Sequence, residues 1–392
     1  KRDSMKLRLC LFLAIVSIVL AATGIESARR PRYGGTLRVE IGAVVNSLDP
    51  TVTAANLAES AAKEQIDALI YARHNPDGTF EGGAGSGPFR IAAWEPGKRA
   101  VLAANDDFRG GRPFVDSVEI QMGRSARDRL LDLELSHTDF AEIPPEEARS
   151  ASAGGVRVSS SEPDELVALI FAPGRPVAQD ARVREALARS IDRDDIVNFI
   201  LQKTGEPAGG LLPQWSSGTA FLFSTAANPA RAKELSSEIG GSLKIVLGYD
   251  AGDSLERSIA QRIVVNAQEA GISVVAQAIA AATEDYDAQL VRLRMGSPHA
   301  SEALDQFVAV LNPLAGTRAA ELPQDASPEQ VFGAERAIVN GARVVPLVWL
   351  PQVYGLSARV RDWRAPAAGE TWHLADLWLE GPPSPAPEKE NP

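Results

Sequence analysis

Between Asp180 and Leu201 the apolar residues recur at helical spacing. Val183, Ala186, Leu187 and Ile191 form one stripe, and Ile196, Val197, Ile200 and Leu201 form a second. Asp180 is a good N-cap, because its carboxylate can accept the free amide protons of a first helical turn, and Asp192 restarts the pattern. Gly205 and Pro207 stop it. The segment therefore predicts two capped helices and a Gly/Pro loop. Upstream, the alternation over 36–41 predicts a strand leading into a turn at 46–50, and 54–71 reads as a helix. Residues 74–86, rich in Asn, Pro, Asp and Gly, read as loop. Strands are expected over 89–94, 100–104, 117–122, 156–159 and 165–171, with a helix over 124–135. The second half offers a strand over 242–248, a long amphipathic helix over 253–270 and a strand over 271–276. A crossover helix between apolar strands implies that those strands are parallel neighbours. A buried strand over 344–349 should return to the first half.

Ahead of these elements, Met5, Lys6 and Arg8 precede an apolar stretch from Leu9 to Ala22, followed by small residues. That is the size of a signal-peptide core and short for a membrane span. Residues 1–28 are expected to be a signal peptide cleaved between Ala22 and Arg29, with an uncleaved anchor helix as the alternative. Cys10 is the single cysteine and lies at the start of the apolar core, where it does not fit a lipoprotein cysteine. A processed chain would have no thiol for a disulfide, a nucleophile or a metal site.

The net charge is −11. Lys1, Arg2, Lys6 and Arg8 against Asp3 and Glu26 put the processed part near −13. An acidic chain without a basic run is a poor partner for nucleic acid. The apolar fraction of 45% suits a globular core. A processed length of about 360 residues suggests two domains. The tail over 381–392, GPPSPAPEKENP, is expected to be disordered.

Chemistry-bearing motifs are weak. Gly82–Gly87, GGAGSG, lacks the Lys-Ser/Thr of a nucleotide loop, and Ala84 breaks the spacing of a serine-hydrolase elbow. His74, His137, His299 and His373 have no partner at metal-ligand spacing. Asp192, Asp194 and Asp195 suit the electrostatics of a helix start. No nucleophile has a base and an orienting group. We expect no catalytic residue, no metal and no cofactor.

Five segments, in order, resemble the family 5 extracellular solute-binding proteins, the dipeptide, oligopeptide and nickel receptors of bacterial ABC importers. They are YGGTLRVEIGAVVNSLDP at 33–50, GSGPFRIAAWEPGKRAVLAANDDFRGGRPFVDSVEIQ at 85–121, DARVREALARSIDRDDI with its following GLLP at 180–213, NPARAKELSSEIG at 228–240, and the stretch from 335 to 363. The resemblance implies an α/β, two-lobed periplasmic-binding-protein-like fold, type II and cluster C-like, with mixed sheets and a hinge. Lobe one would combine 29–172 with 345–380, and lobe two would span 173–344. Closure would turn about crossover segments near 171–176 and 344–346. It also implies a monomer outside the cytoplasm that binds a peptide or similar small solute between its lobes and delivers it to an ABC permease in the membrane. The alternative is a degenerate binding module acting as a sensor or scaffold. A secreted enzyme is the third reading. The smaller accessory domain of the family is missing, because Ile70–Phe80 runs almost at once into Gly85–Pro88. Its loss would leave an apolar patch on lobe one.

Peptide receptors of the family carry W-x-x-D soon after a Y-D pair, and that Asp takes the ligand's ammonium. Here Tyr286-Asp287 are followed by AQLVRLRMGSP, with Arg292 and Arg294 where an acidic group would be wanted. A cation there favours an anionic end of a ligand. The competing reading places both arginines on a solvated face. Trp215, just past Leu211-Leu212-Pro213, is a ligand-facing aromatic or a packing residue. Asn46, at the start of the SLDP turn, completes the substrate-binding candidates: Asn46, Trp215, Arg292 and Arg294.

Overall fold

The structure is a computed structural model that describes residues 30–49, 51–52, 54, 57–71, 73–74, 80–81, 85–218, 223–240, 244–279, 285–317, 322–323 and 325–381. The expected signal peptide and the tail beyond 381 lie outside these residues. Among the described residues no helix is long and apolar enough to cross a membrane.

The strands that build the main sheet are β1 (Thr36–Glu40), β2 (Phe89–Glu95), β3 (Arg99–Ala104), β4 (Ser117–Gln121), β5 (Phe140–Ile143), β6 (Arg157–Phe171), β7 (Lys244–Asp250), β8 (Ser273–Ile279), β9 (Ala288–Arg294) and β10 (Val344–Leu356). The helices that cover it are α1 (Leu57–Ile70), α2 (Ala126–Glu134), α3 (Ala148–Ala153), α4 (Ala181–Ser190), α5 (Pro229–Ile239), α6 (Ser254–Glu269), α7 (Ala300–Ala315) and α8 (Pro328–Val339). One mixed sheet runs in the order β8-β7-β9-β6-β10-β5-β1-β4-β3-β2, and the short strand Glu206–Pro207 also pairs with β10.

Most expected elements are present. Asp180 caps α4 by accepting from the Arg182 amide, and Asp253 caps α6. β7 and β8 are parallel around α6. Two expectations change. The separate strands over 156–159 and 165–171 are one 15-residue strand, β6. The polar run Ser159–Glu162 and Pro163 hide its continuity in the sequence. Within the loop expected over 74–86, Arg73–His74 pairs with Phe80–Glu81 as a short hairpin. β9, with its two arginines, carried no clear strand pattern.

Core packing divides the sheet into two lobes. In one, α4, α5 and α6 cover a face holding Val167, Leu169, Phe171, Leu187, Leu235 and Ile259. The opposite face packs Leu166, Ile170, Leu304, Phe307 and Val331 under α7 and α8. In the other lobe Leu37, Val39, Phe89, Phe140, Tyr354 and Trp372 form the core, with Leu133, Ala141 and Val353 beneath α2 and α3. β6 and β10 belong to both. Where they cross, the ladder shifts register between Leu350 and Pro351 and again between Pro351 and Val353, and Pro163 faces Pro351. Neither proline has an N–H to give, so the pairing loosens at the boundary.

The signature arginines are structural. Arg193 is buried, and its Nε donates to the carbonyls of Ala208 and Pro346, both at 2.9 Å. Arg184 donates to the carbonyls of Gly341, Ala178 and Gln179. Both guanidiniums thus tie the helix pair to chain segments far away in sequence.

Candidate functional site

The registers fix where a ligand can meet the sheet. β1, β4 and β5 are parallel, and the C-terminal end of β5 pairs Ile143 with Val353 of β10, on the side facing the other lobe. β7, β8 and β9 are likewise parallel, and the C-terminal end of β9 sets Arg294 opposite Glu165 of β6. Both sets of parallel strands therefore end at one seam, crossed by β6 and β10. Ligands of open α/β sheets bind beyond the carboxyl ends of the strands.

At the end of β9, Arg292 forms a fork with Glu165. Its Nε donates to Oε1 at 3.0 Å and its Nη2 to Oε2 at 2.5 Å. Nη1 donates to Asp253 Oδ2 at 2.8 Å, while Asp253 Oδ1 accepts the amides of Leu255 and Glu256 at the start of α6. Burial alone would lower the Arg292 pKa. The carboxylates of Glu165 and Asp253 outweigh it and hold the group well above its usual range. Arg294 lies 3.7 Å from Asp164 and donates no hydrogen bond among the described residues. Burial pushes Asp164 up to about 6 against the pull of Arg294. Glu142 and Glu146 are raised by burial, and Glu256 is pushed up to about 7 by burial with Asp253 adding to it. Each arginine is thus already matched by carboxylates, and both side chains are half-buried on β9, 30% and 32% exposed.

A polar chain runs from this point into lobe one. Gln352 donates to Asp164, and the Tyr354 hydroxyl donates to Gln352 Oε1 at 2.5 Å. Trp372 Nε1 donates back to the Tyr354 oxygen at 3.3 Å. The Tyr354, Trp363 and Trp372 rings surround Phe140 at centroid distances of 4.8–5.3 Å. Sequence reasoning missed this group, because its members are scattered over β5, β6, β10 and the closing segment with no local spacing.

Trp215 is 38% exposed, and its Nε1 donates to the Pro163 carbonyl at 2.8 Å. It is therefore stapled to β6 next to Asp164. Trp215 and Arg294 are brought to the same short stretch of β6. Asn46 is not among them: it is exposed and tied within lobe one, where its amide and Nδ2 donate to Glu59 Oε1 at 2.9 and 3.1 Å. Beside Trp215 a cavity of about 250 Å³ opens in lobe two, lined among others by Ser216, Ser217, His299, Val331, Phe332 and Glu335. Among the described residues no cluster of His, Cys, Asp or Glu could hold a metal ion.

Two lobes sharing one mixed sheet, with a seam at the carboxyl ends of both strand sets, define a hinged solute-binding fold. Residues 40–312 match the family model described as bacterial extracellular solute-binding proteins, family 5 Middle. The chain belongs to this family, which is one of solute-binding proteins rather than enzymes. Among curated relatives it is similar to the oligopeptide-binding protein AppA of Bacillus subtilis, 29% identical over 125 residues, which cover 32% of this chain and 23% of AppA. It is also similar to protein XP55 of Streptomyces lividans, 26% identical over 204 residues, covering 48% of this chain and 38% of XP55. The chain thus matches well under half the length of these relatives. Among solved structures it resembles the ABC transporter substrate-binding protein CtaP of Listeria monocytogenes, with a TM-score of 0.72 at 15% identity, covering 89% of this chain and 100% of that one. DppA of Helicobacter pylori, solved with the peptide STSA, gives a TM-score of 0.70 at 14% identity, covering 90% and 99%. At these identities the structural likeness speaks for the fold.

Proposed function

We propose that this chain is the extracytoplasmic receptor of an ABC importer. It takes a peptide or similar small solute into the seam, closes about β6 and β10, and hands the solute to a permease. The observation that carries this reading is the convergence of two sets of strand ends on a seam whose crossing strands loosen at Pro163 and Pro351. Relatives described as oligopeptide-binding supply the solute class. The receptor works as a monomer and is exported by the segment over 1–28. We put the lobe boundary within β6 and β10, near 163–165 and 350–352, in place of the expected 171–176 and 344–346; the packing of Val167, Leu169 and Phe171 and of Val345, Leu347 and Val348 in one core with α4, α5 and α6 supports this.

Of the four candidates, Trp215 and Arg294 meet the ligand. Trp215 offers an exposed ring beside the crossing strands, and Arg294 has donors that no described residue uses. Arg292 is the strut behind them, and Asn46 shapes the loop after β1. Because carboxylates surround both arginines, the ligand's anionic end relies on hydrogen bonds from Arg294 rather than on a net positive field.

The test is mass spectrometry of solute released on unfolding the purified processed protein, followed by calorimetry with the compounds found. A defined small solute that rebinds supports the reading. Protein that yields no solute and binds no member of a di- to pentapeptide library contradicts it. A role as sensor or scaffold is favoured by one observation: between Ile70 and Phe89 the described residues hold only a short hairpin where the family's accessory domain is expected.

A further inference from the structure

The cavity beside Trp215 is built for a particular group. Its volume of about 250 Å³ falls just below the range of about 300–1,000 Å³ typical of whole-ligand pockets, so it suits one end of a ligand. Ala300, Ala326, Pro328, Val331 and Phe332 make much of its wall apolar. Glu335, 1% exposed, is its one carboxylate among the described lining residues. Glu335 Oε1 accepts the amides of both Leu211 and Leu212, the latter at 2.9 Å, which leaves Oε2 without a described partner. Burial pushes this carboxyl up to about 7, against the pull of the two amides, so its charge is under-compensated. Ser216 and Ser217 also line the cavity. Their hydroxyls donate to the carbonyls of Pro298 at 3.4 Å and Pro213 at 3.1 Å, which leaves their oxygens as acceptors. Trp215, stapled to Pro163, sets this corner beside the seam.

A buried carboxylate oxygen and two hydroxyl acceptors match the three N–H donors of an alkylammonium, and the apolar wall matches its carbon chain. We propose that the cavity takes a primary ammonium group of the bound solute, with Glu335 as its counter-charge. This deepens the solute-receptor reading and rests on it. The acid comes from α8, far in sequence from the stretch after Tyr286-Asp287 where the arginines stand.

Calorimetry at pH 8 with trialanine, N-acetyl-trialanine and N-acetyl-Ala-Lys-Ala tests this and separates an α-ammonium from a lysine ε-ammonium. For at least one free amine, we expect N-acetyl-trialanine to bind tenfold or more weaker. Glu335→Gln keeps an amide oxygen for Leu211 and Leu212, so the loop is retained. It should weaken the free amine tenfold and leave N-acetyl-trialanine unchanged. Ala300→Leu, which fills the cavity without touching the charge, should weaken the free amine as well. Equal binding of all three peptides, or wild-type affinity of Glu335→Gln for the free amine, overturns the ammonium assignment and leaves the solute-receptor reading standing. Failure to bind these peptides or any library member overturns both.

Discussion

Gly369 lies against Gly296: a Cβ added at 369 would sit 2.7 Å from the Gly296 carbonyl oxygen. Gly296 follows β9 in lobe two, whereas Gly369 belongs to the closing segment whose Trp372 and Leu374 pack in lobe one. Its neighbour Ala368 is buried among lobe-two residues. The segment therefore bridges the seam. Gly369 also has φ +74, where a β-branched side chain is strained. Gly369→Val should hold the lobes apart and weaken solute binding roughly tenfold, about 1.4 kcal/mol. Unchanged affinity by calorimetry would show that this contact plays no part in closure.

Arg193 satisfies two carbonyls across the junction of the signature helices, the Gly/Pro loop and β10. Burial pulls its pKa down to about 10, so it stays charged at neutral pH. Arg193→Leu would strand both carbonyls, each worth about 1–3 kcal/mol. Urea unfolding should show a loss of about 2–5 kcal/mol. A loss below about 0.5 kcal/mol, the size of an ordinary surface change, would contradict the assigned role.

The Arg292 fork should behave as a partly buried ion pair. Arg292→Met leaves Glu165 and Asp253 facing each other without a cation. We expect a loss of about 2–3 kcal/mol, between the values for exposed and buried pairs. Adding Glu165→Gln should recover part of it, because the stranded charge is then removed. A double variant no more stable than Arg292→Met would count against a charge origin.

Acid groups at the seam give stability an unusual pH slope. Burial raises Glu256 and Glu335 to about 7 and Asp164 to about 6. Between their unfolded values, near 4, and these folded values, the folded chain binds more protons than the unfolded one. Their contribution is therefore fully present below pH 4 and is lost as pH rises through 6–7. At the acid end, Asp132, Asp180 and Glu329 work the other way, because their pKa values are lowered. Thermal midpoints should rise as pH falls from 7.5 to about 5.5 and drop again below about pH 4. Glu256→Gln should be more stable than wild type at pH 7.5 and should flatten the slope. A midpoint that falls steadily from pH 7.5 downward would refute this.

Sequence periodicity reached most elements because their apolar stripes are regular, as in α4 and α6. It failed at β6, where Pro163 and a polar run interrupt the pattern. That interruption is the loosened crossing itself, so the feature that hid the strand is also the one the hinge needs. Arg292 and Arg294 were legible as unusual, but their partners were not. Glu165, Asp253 and Asp164 come from β6 and the start of α6, and only the fold brings them together. Glu335 gave no signal, since a glutamate on an amphipathic helix reads as solvated until the helix is seen to turn it toward Leu211 and Leu212.

The central claim is that the two lobes close on a solute. Cys10 is the only cysteine, so a chain lacking the first 28 residues can carry spin labels at Arg127→Cys on α2 and Gln261→Cys on α6, both exposed. Pulsed electron-spin distance measurement, with and without saturating solute identified by rebinding, should give a distribution that narrows and shifts to a new mean on binding. Identical distributions with and without a solute that calorimetry shows to be bound would contradict the account.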